Sequence, residues 1–302
     1  EYNNVWRKEN REVHKFLRAI GFSDITKKDL EMILDEVITR PEIMKITKDS
    51  EGNEFAELSG SFAANAGITV RGTYQEDDSF HMDYYYPYVF GTSITTNEQI
   101  DVEKHAEKES YAGVCDEVNL GVTLIFYIQN VADYLAETNR HLSKIHYGAM
   151  LAGLSTEGKI LCPVVERKKN DVPAIQKNDR HNQLIAQARE GDEDAIESLT
   201  LEDMDTYALL SQRVMKEDIF SIVKSTFMPF GIESDQYTVL GEIIDCVTME
   251  NKLTHEKLYG MKLLCNNIQF DVCINEKDLL GEPAIGRRFR GNVWMQGNLC
   301  LE

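Results

Sequence analysis

The chain predicts an α+β protein with an N-terminal antiparallel sheet and its helices, an acidic helical middle segment, and a small C-terminal β-barrel-like domain of OB-like type. Three observations carry this. Residues 14–40 place apolar side chains at helical spacing, whereas residues 42–90 and 237–301 alternate apolar and polar residues in strand-length runs. Residues 183–236 hold 12 acidic against 4 basic residues, a net of −8, among apolar stripes of helical period. Gly241, Gly260, Gly291 and Gly297 interrupt the last strands where bulges and tight bends of a curled sheet belong. The expected divisions are a tail at 1–12, an α+β domain at 13–165, a polar linker and acidic helical segment at 166–236, and a β-barrel-like domain at 237–302.

Residues 1–12 lack periodicity. HKFLRAIGF (14–22) puts Phe16, Leu17 and Ile20 on one helical face and ends at Gly21, a C-cap residue. Thr26 starts a second helix with Leu30, Ile33, Leu34 and Val37 inward, and Pro41 stops it. FAELSGSFA, GITVRGTY and FHMDYYYPYVF then read as antiparallel strands, with Pro87 placing the last at an edge or bulge. The tyrosines of that strand suit a strand core or, less often, a ligand pocket. Residues 91–109 read as a loop and a solvated edge strand. GVTLIFYIQN (121–130) is apolar on both faces and reads as a central strand. A helix at 131–143 follows, then YGAMLAGLS and KILCPVV, a hairpin turning at 155–158.

Residues 166–180, ERKKNDVPAIQKNDR, form a polar boundary. Beyond it, Leu201, Met204, Leu209, Leu210 and Val214 make one helical stripe, and Ile219, Ile222, Val223 and Phe227 another. YTVLGEIIDCVTM, EKLYGMKLLCN, IQFDVCIN and GNVWMQGNLCL complete the chain as strands.

At HKFLRAIGF, YAGVCDEVNLGVTLIFYIQN and LLGEPAIGRRFRGNVWMQG the sequence resembles an uncharacterised domain-of-unknown-function family of clostridial Firmicutes, from Val13 to the end. The resemblance implies a cytosolic bacterial protein of one continuous family architecture. It brings no catalytic residues with it.

The 302 residues carry 51 acidic and 32 basic side chains, net −19, with 42% hydrophobic and 27% charged residues. Such a balance disfavours nonspecific nucleic-acid binding and anionic membrane surfaces, both of which draw on many Lys and Arg contacts. No apolar run approaches the roughly 20 residues that span a bilayer. Six cysteines without a CxxC pair read as reduced thiols of a cytoplasmic protein.

The densest positive cluster, Arg287, Arg288 and Arg290 beside Gly286 and Trp294, is the candidate ligand site, a place for a small anion. Its arginines could equally pair with acids nearby, or with the acidic helices within one molecule or across a homodimer. Phosphate-loop, dinucleotide and nucleophile-elbow motifs are missing, and the seven histidines show no metal-ligand spacing, so neither metal nor cofactor is expected. The expected function is non-catalytic binding or scaffolding, with a protein partner or a small anionic ligand. The alternative is an enzyme with an inter-domain cleft, using a carboxylate or Cys115 with His81 or His105 as base. A third reading has Trp294 and Phe289 stack single-stranded nucleic acid on the C-terminal barrel.

Overall fold

The computed structural model describes residues 13–105, 109–140, 146–164, 223–231 and 235–301, with scattered positions between 184 and 199. The chain forms two compact units, Glu1–Leu161 with Ser225–Glu302, and Cys162–Lys224. The first unit is mostly β. The expected tail at 1–12 and most of the expected acidic helical segment lie outside the described residues.

A 3-10 helix, Lys15–Ile20, opens the described chain, with the His14 side chain accepting the Phe16 N–H at its start. It ends at Gly21, whose φ of 94° is the left-handed cap that glycine adopts without strain. Helix α1, Lys27–Thr39, is capped by Thr26, whose hydroxyl accepts the Asp29 N–H. Its Leu30, Ile33, Leu34 and Val37 are buried, as their spacing predicts.

The first sheet is antiparallel, in the order β1 (Ile43–Lys48), β2 (Glu54–Ala63), β3 (Ala66–Tyr74) and β4 (Phe80–Val89). Asn65, at φ 57°, turns β2 into β3, and β4 with its Pro87 lies at the sheet's edge. Strand alternation then assigns two faces. Ala56, Leu58, Ile68 and Val70 join α1 and the 3-10 helix in one core, leaving Glu57, Ser59, Thr69 and Arg71 to the other side.

The second sheet contains β5 (Thr96–His105), β6 (Ser110–Glu117), β7 (Val122–Ile128), β8 (His146–Leu161), β9 (Thr226–Pro229), β10 (Gln236–Glu250), β11 (Lys257–Cys265), β12 (Ile268–Asn275), β13 (Leu279–Leu280) and β14 (Arg288–Leu299). Helix α2, Val131–Asn139, follows β7. The spine is the long antiparallel pair of β8 and β14, from Ala149 opposite Leu299 to Leu161 opposite Arg288. Strands before 162 and after 224 therefore share one sheet. Pairings run from β8 through β12, β11 and β10 back to β14, and again through β5, β6 and β7 to β14. Both circuits close on the same pair.

Three expectations are corrected here. No hairpin forms at 155–158, because β8 runs unbroken and the irregularity is a register shift opposite Gly291 and Val293. Ser155 fills that shift, its hydroxyl donating to Glu157 O and Asn292 O, both at 2.8 Å. β5 is not an edge, since β8 and β6 pair with its two sides. Phe227 lies in strand β9, buried and tilted against Tyr237 at 4.5 Å, instead of on a helix.

Polar contacts clamp the 3-10 helix to the turn after β10. Asn251, fully buried, donates to Ile20 O at 2.7 Å, and the Thr254 hydroxyl donates to Gly21 O at 2.6 Å. A Cβ on Gly21 would stand 2.6 Å from Asn251 Cβ. Gly21→Ala should thus lower the unfolding free energy by about 2–4 kcal/mol, from left-handed strain plus a core clash. Urea denaturation of the two proteins measures it.

Candidate functional site

The second face of the first sheet is polar because its register sets complementary partners side by side. Glu57 lies directly opposite Arg71 and Ser59 opposite Thr69. Arg71 is fully buried. Its Nε donates to Glu57 Oε1 at 2.7 Å, and Nη1 to the hydroxyls of Tyr84 and Tyr127 at 2.9 and 2.8 Å. Nη2 donates to the Tyr86 hydroxyl at 3.2 Å, Ile128 O at 3.0 Å and Gln129 O at 2.9 Å. All five guanidinium N–H groups are occupied.

Burial opposes the charge on Arg71, but the phenols of Tyr127, Tyr84 and Tyr86 and the Glu57 carboxylate outweigh it. The rings of Tyr84, Tyr86 and Tyr127 also face the guanidinium, 4.8–5.8 Å from Cζ. Burial pushes the Tyr86 and Tyr127 phenols up, so they remain protonated donors. Glu57 Oε2 accepts the Ala132 N–H at 2.9 Å, in the first turn of α2, where a carboxylate offsets the helix dipole. One buried ion pair therefore ties β2, β3 and β4 to β7 and α2.

Beside this centre lies a cleft of about 320 Å³. Glu57, Ser59, Thr69, Tyr86, Gln129 and Asn130 contribute polar walls, and Phe90, Met150 and Leu299 apolar ones. The Ser59 and Thr69 hydroxyls are 2.8 Å apart, and Asn130 exchanges two hydrogen bonds with the Leu299 backbone. Lys45 and Asp133, paired at 2.6 Å and both partly exposed, form the rim. Gln129 is buried, and its Nε2 donates to Val89 O at 2.9 Å and Gln296 Oε1 at 2.8 Å. Its Oε1 is buried with no partner among the described residues. An unsatisfied buried acceptor costs about 1–3 kcal/mol.

The residues singled out from sequence do not converge. Arg287 is exposed and donates from Nη1 to Glu282 O at 2.7 Å. Gly286, at φ 82°, turns the chain and donates its N–H to Ile243 O. Arg288 is buried, opposite Glu242 of β10. Arg290 is exposed, opposite Lys159 of β8, and lines a shallow groove of about 290 Å³ with Lys159 and Glu157.

Trp294 is buried and stacks on Phe16 at 5.1 Å, its Nε1 donating to Asp235 Oδ2 at 2.6 Å. His14 lies against the same indole at 5.1 Å, and burial lowers its imidazole to about 4. Phe289 is fully buried, its ring filling the space a Cβ would take at Gly158 or Gly291. Neither Trp294 nor Phe289 presents an open ring face to a base.

Cys115 faces the core of the second sheet, and burial, with Glu117, Glu98 and Asp116, pushes its thiol up to about 12. A nucleophilic thiol needs the opposite shift. His81 is exposed on β4, and the His105 side chain lies outside the described residues. Among the described residues no cluster of three His, Cys, Asp or Glu is placed to hold a metal ion.

Sequence reading missed the Glu57–Arg71 centre. Its signal was one charge in the middle of each of two adjacent strands, matched by a tyrosine-rich third.

Fold and site together define a mostly β protein with a buried ionic centre and a polar cleft between two sheets. The chain belongs to the family described as a domain of unknown function, E. rectale gene description (DUF3881), whose model matches residues 17–297. That bears out the resemblance to a clostridial family. No match was found among curated proteins or among solved structures. Among the described residues no helix is long and apolar enough to cross a membrane.

Thiol labelling tests the placement of the cysteines. Cys162 is exposed, while Cys115, Cys265 and Cys273 are buried with thiols pushed up to about 12. Under native conditions near pH 8, Cys162 should react with a disulfide reagent first, and the three buried thiols at least about 100-fold more slowly. Peptide mapping of the labelled protein reads the order.

Proposed function

We propose that this chain is a non-catalytic binding protein of the bacterial cytoplasm, holding a small, uncharged polar ligand in the cleft between its sheets. The observation that carries this reading is Gln129 Oε1, a buried acceptor without a partner among the described residues, in the wall of a cleft large enough for a small molecule. Gln129 itself lines the cleft, and a turn of its amide toward the cleft would let a ligand donor meet that oxygen and recover what its isolation costs. The charges lining the cleft are each paired, Lys45 with Asp133 at the rim and Glu57 with Arg71 behind the wall, which favours a neutral ligand over the anion expected from the arginines.

The same balance supports a binding role over catalysis. Glu57, the most buried carboxylate of the cleft, has both oxygens occupied, one by Arg71 and the other by the Ala132 N–H. We read the circuit β8-β12-β11-β10-β14 as the small OB-like barrel, its closing strand supplied by residues 146–161.

Ligand-observed NMR against a panel of ureas, primary amides and polyols, with charged analogues as controls, tests the proposal. Neutral donors should bind. Gln129→Leu should weaken them about tenfold, near 1.4 kcal/mol, and Asn298→Trp at the cleft should abolish binding while leaving the melt intact. Hits indifferent to both substitutions, or no hits at all, would overturn the assignment.

A further inference from the structure

A second concave surface lies on the other core of the first unit, between α1 and the turn that follows β10. It encloses about 380 Å³. Its apolar part includes Met32 and Leu253, which are 55% and 50% exposed, large apolar side chains that the fold leaves in water. Every charged residue in its wall is acidic: Asp24, Asp29, Glu36 and Glu256. Of these, Glu256 and Asp24 are already paired with Lys277, at 2.7 and 3.5 Å, which leaves Asp29 and Glu36 without an ion pair among the described residues.

Helix α1 makes the charge excess sharper. It has no basic residue in its last turn, and Glu36 lies near its C-terminal end, where the helix dipole disfavours a carboxylate. Glu31 and Asp35 are like charges at i and i+4. Burial and Glu31 together raise the Asp35 carboxyl. Among the described residues Glu31, Asp35 and Glu36 form no ion pair. The helix carries Asp29, Glu31, Asp35 and Glu36 against Lys27 and Lys28 at its start and Arg40 at its C-cap, so a net negative charge remains around an exposed methionine, an arrangement that a cationic, apolar surface would complement.

We propose that this groove docks a basic amphipathic segment of a partner protein. Met32 and Leu253 take the segment's apolar side chains, while Asp29 and Glu36 receive its lysines or arginines. Methionine and leucine adapt to varied apolar shapes, and the acidic rim sets the sign of the partner. The site is separate from the inter-sheet cleft and does not depend on it.

The probe is a 15-residue amphipathic Leu/Lys peptide, with a Leu/Glu peptide of the same pattern as control, followed by fluorescence anisotropy on the full chain at roughly physiological salt. The Lys peptide should bind and the Glu peptide should not. The double substitution Met32→Ser and Leu253→Ser, which keeps every charge, should weaken binding at least tenfold, and Glu36→Lys should weaken it further. Both apolar positions are half exposed, so unchanged melting of the double variant controls for folding. Equal affinity in wild type and double variant would assign the attraction to the net charge of −19 and overturn the proposal. So would absence of binding, or a self-association of the chain that the double variant abolishes, which would make a second copy the occupant.

Discussion

The ion pair between Glu57 and Arg71 is the constraint on which the rest of the first unit depends. A charged pair removed from water is tolerated only when its remaining hydrogen-bonding capacity is used. Arg71 meets that condition with three tyrosine hydroxyls and two backbone carbonyls, and Glu57 with the first turn of α2. These partners come from both sheets, so satisfying one guanidinium fixes how β4, β7 and α2 meet β2 and β3. Apolar burial is non-directional, whereas these hydrogen bonds have set distances and angles.

The cleft follows from that geometry. Gln129 contributes its backbone carbonyl to Arg71, and its side chain is then held by Val89 and Gln296, which leaves Oε1 buried and unmatched among the described residues. A buried acceptor of this kind calls for a partner, and a ligand donor supplies one. The charged groups around it are already balanced. A binding function for a neutral, donor-bearing molecule is the reading that uses these features together, and the acidic groove over α1 adds a surface of a different kind.

Much of the local structure was legible in the sequence. Thr26, the 3.6-residue spacing of Leu30, Ile33, Leu34 and Val37, and Gly21 mark α1 and the end of the 3-10 helix through short-range physics alone. The tyrosine-rich strand with Pro87 found its place at an edge for the same reason. Pairing between β8 and β14 was not legible, because it joins residues about 140 positions apart through backbone bonds that leave no side-chain signature. The turn expected at 155–158 was a true local irregularity, expressed as a register shift once a partner strand ran alongside. The arginine cluster stood out by composition, yet Arg288 and Arg290, on one face of β14, part in burial as that face runs from the core to the surface, and a loop carries Arg287. Glu57 and Arg71 were overlooked because a charge on the second face of a strand ordinarily means water, and here a second sheet takes its place.

A double-mutant cycle on the buried pair tests this account most directly. Arg71→Met and Glu57→Leu, alone and together, would be compared with the wild type by urea unfolding. Each single change should cost about 3–5 kcal/mol by stranding the other charge, and the double variant should lose far less than the sum. Single variants within about 1 kcal/mol of wild type, or strictly additive losses, would contradict the claim that this pair joins the two sheets.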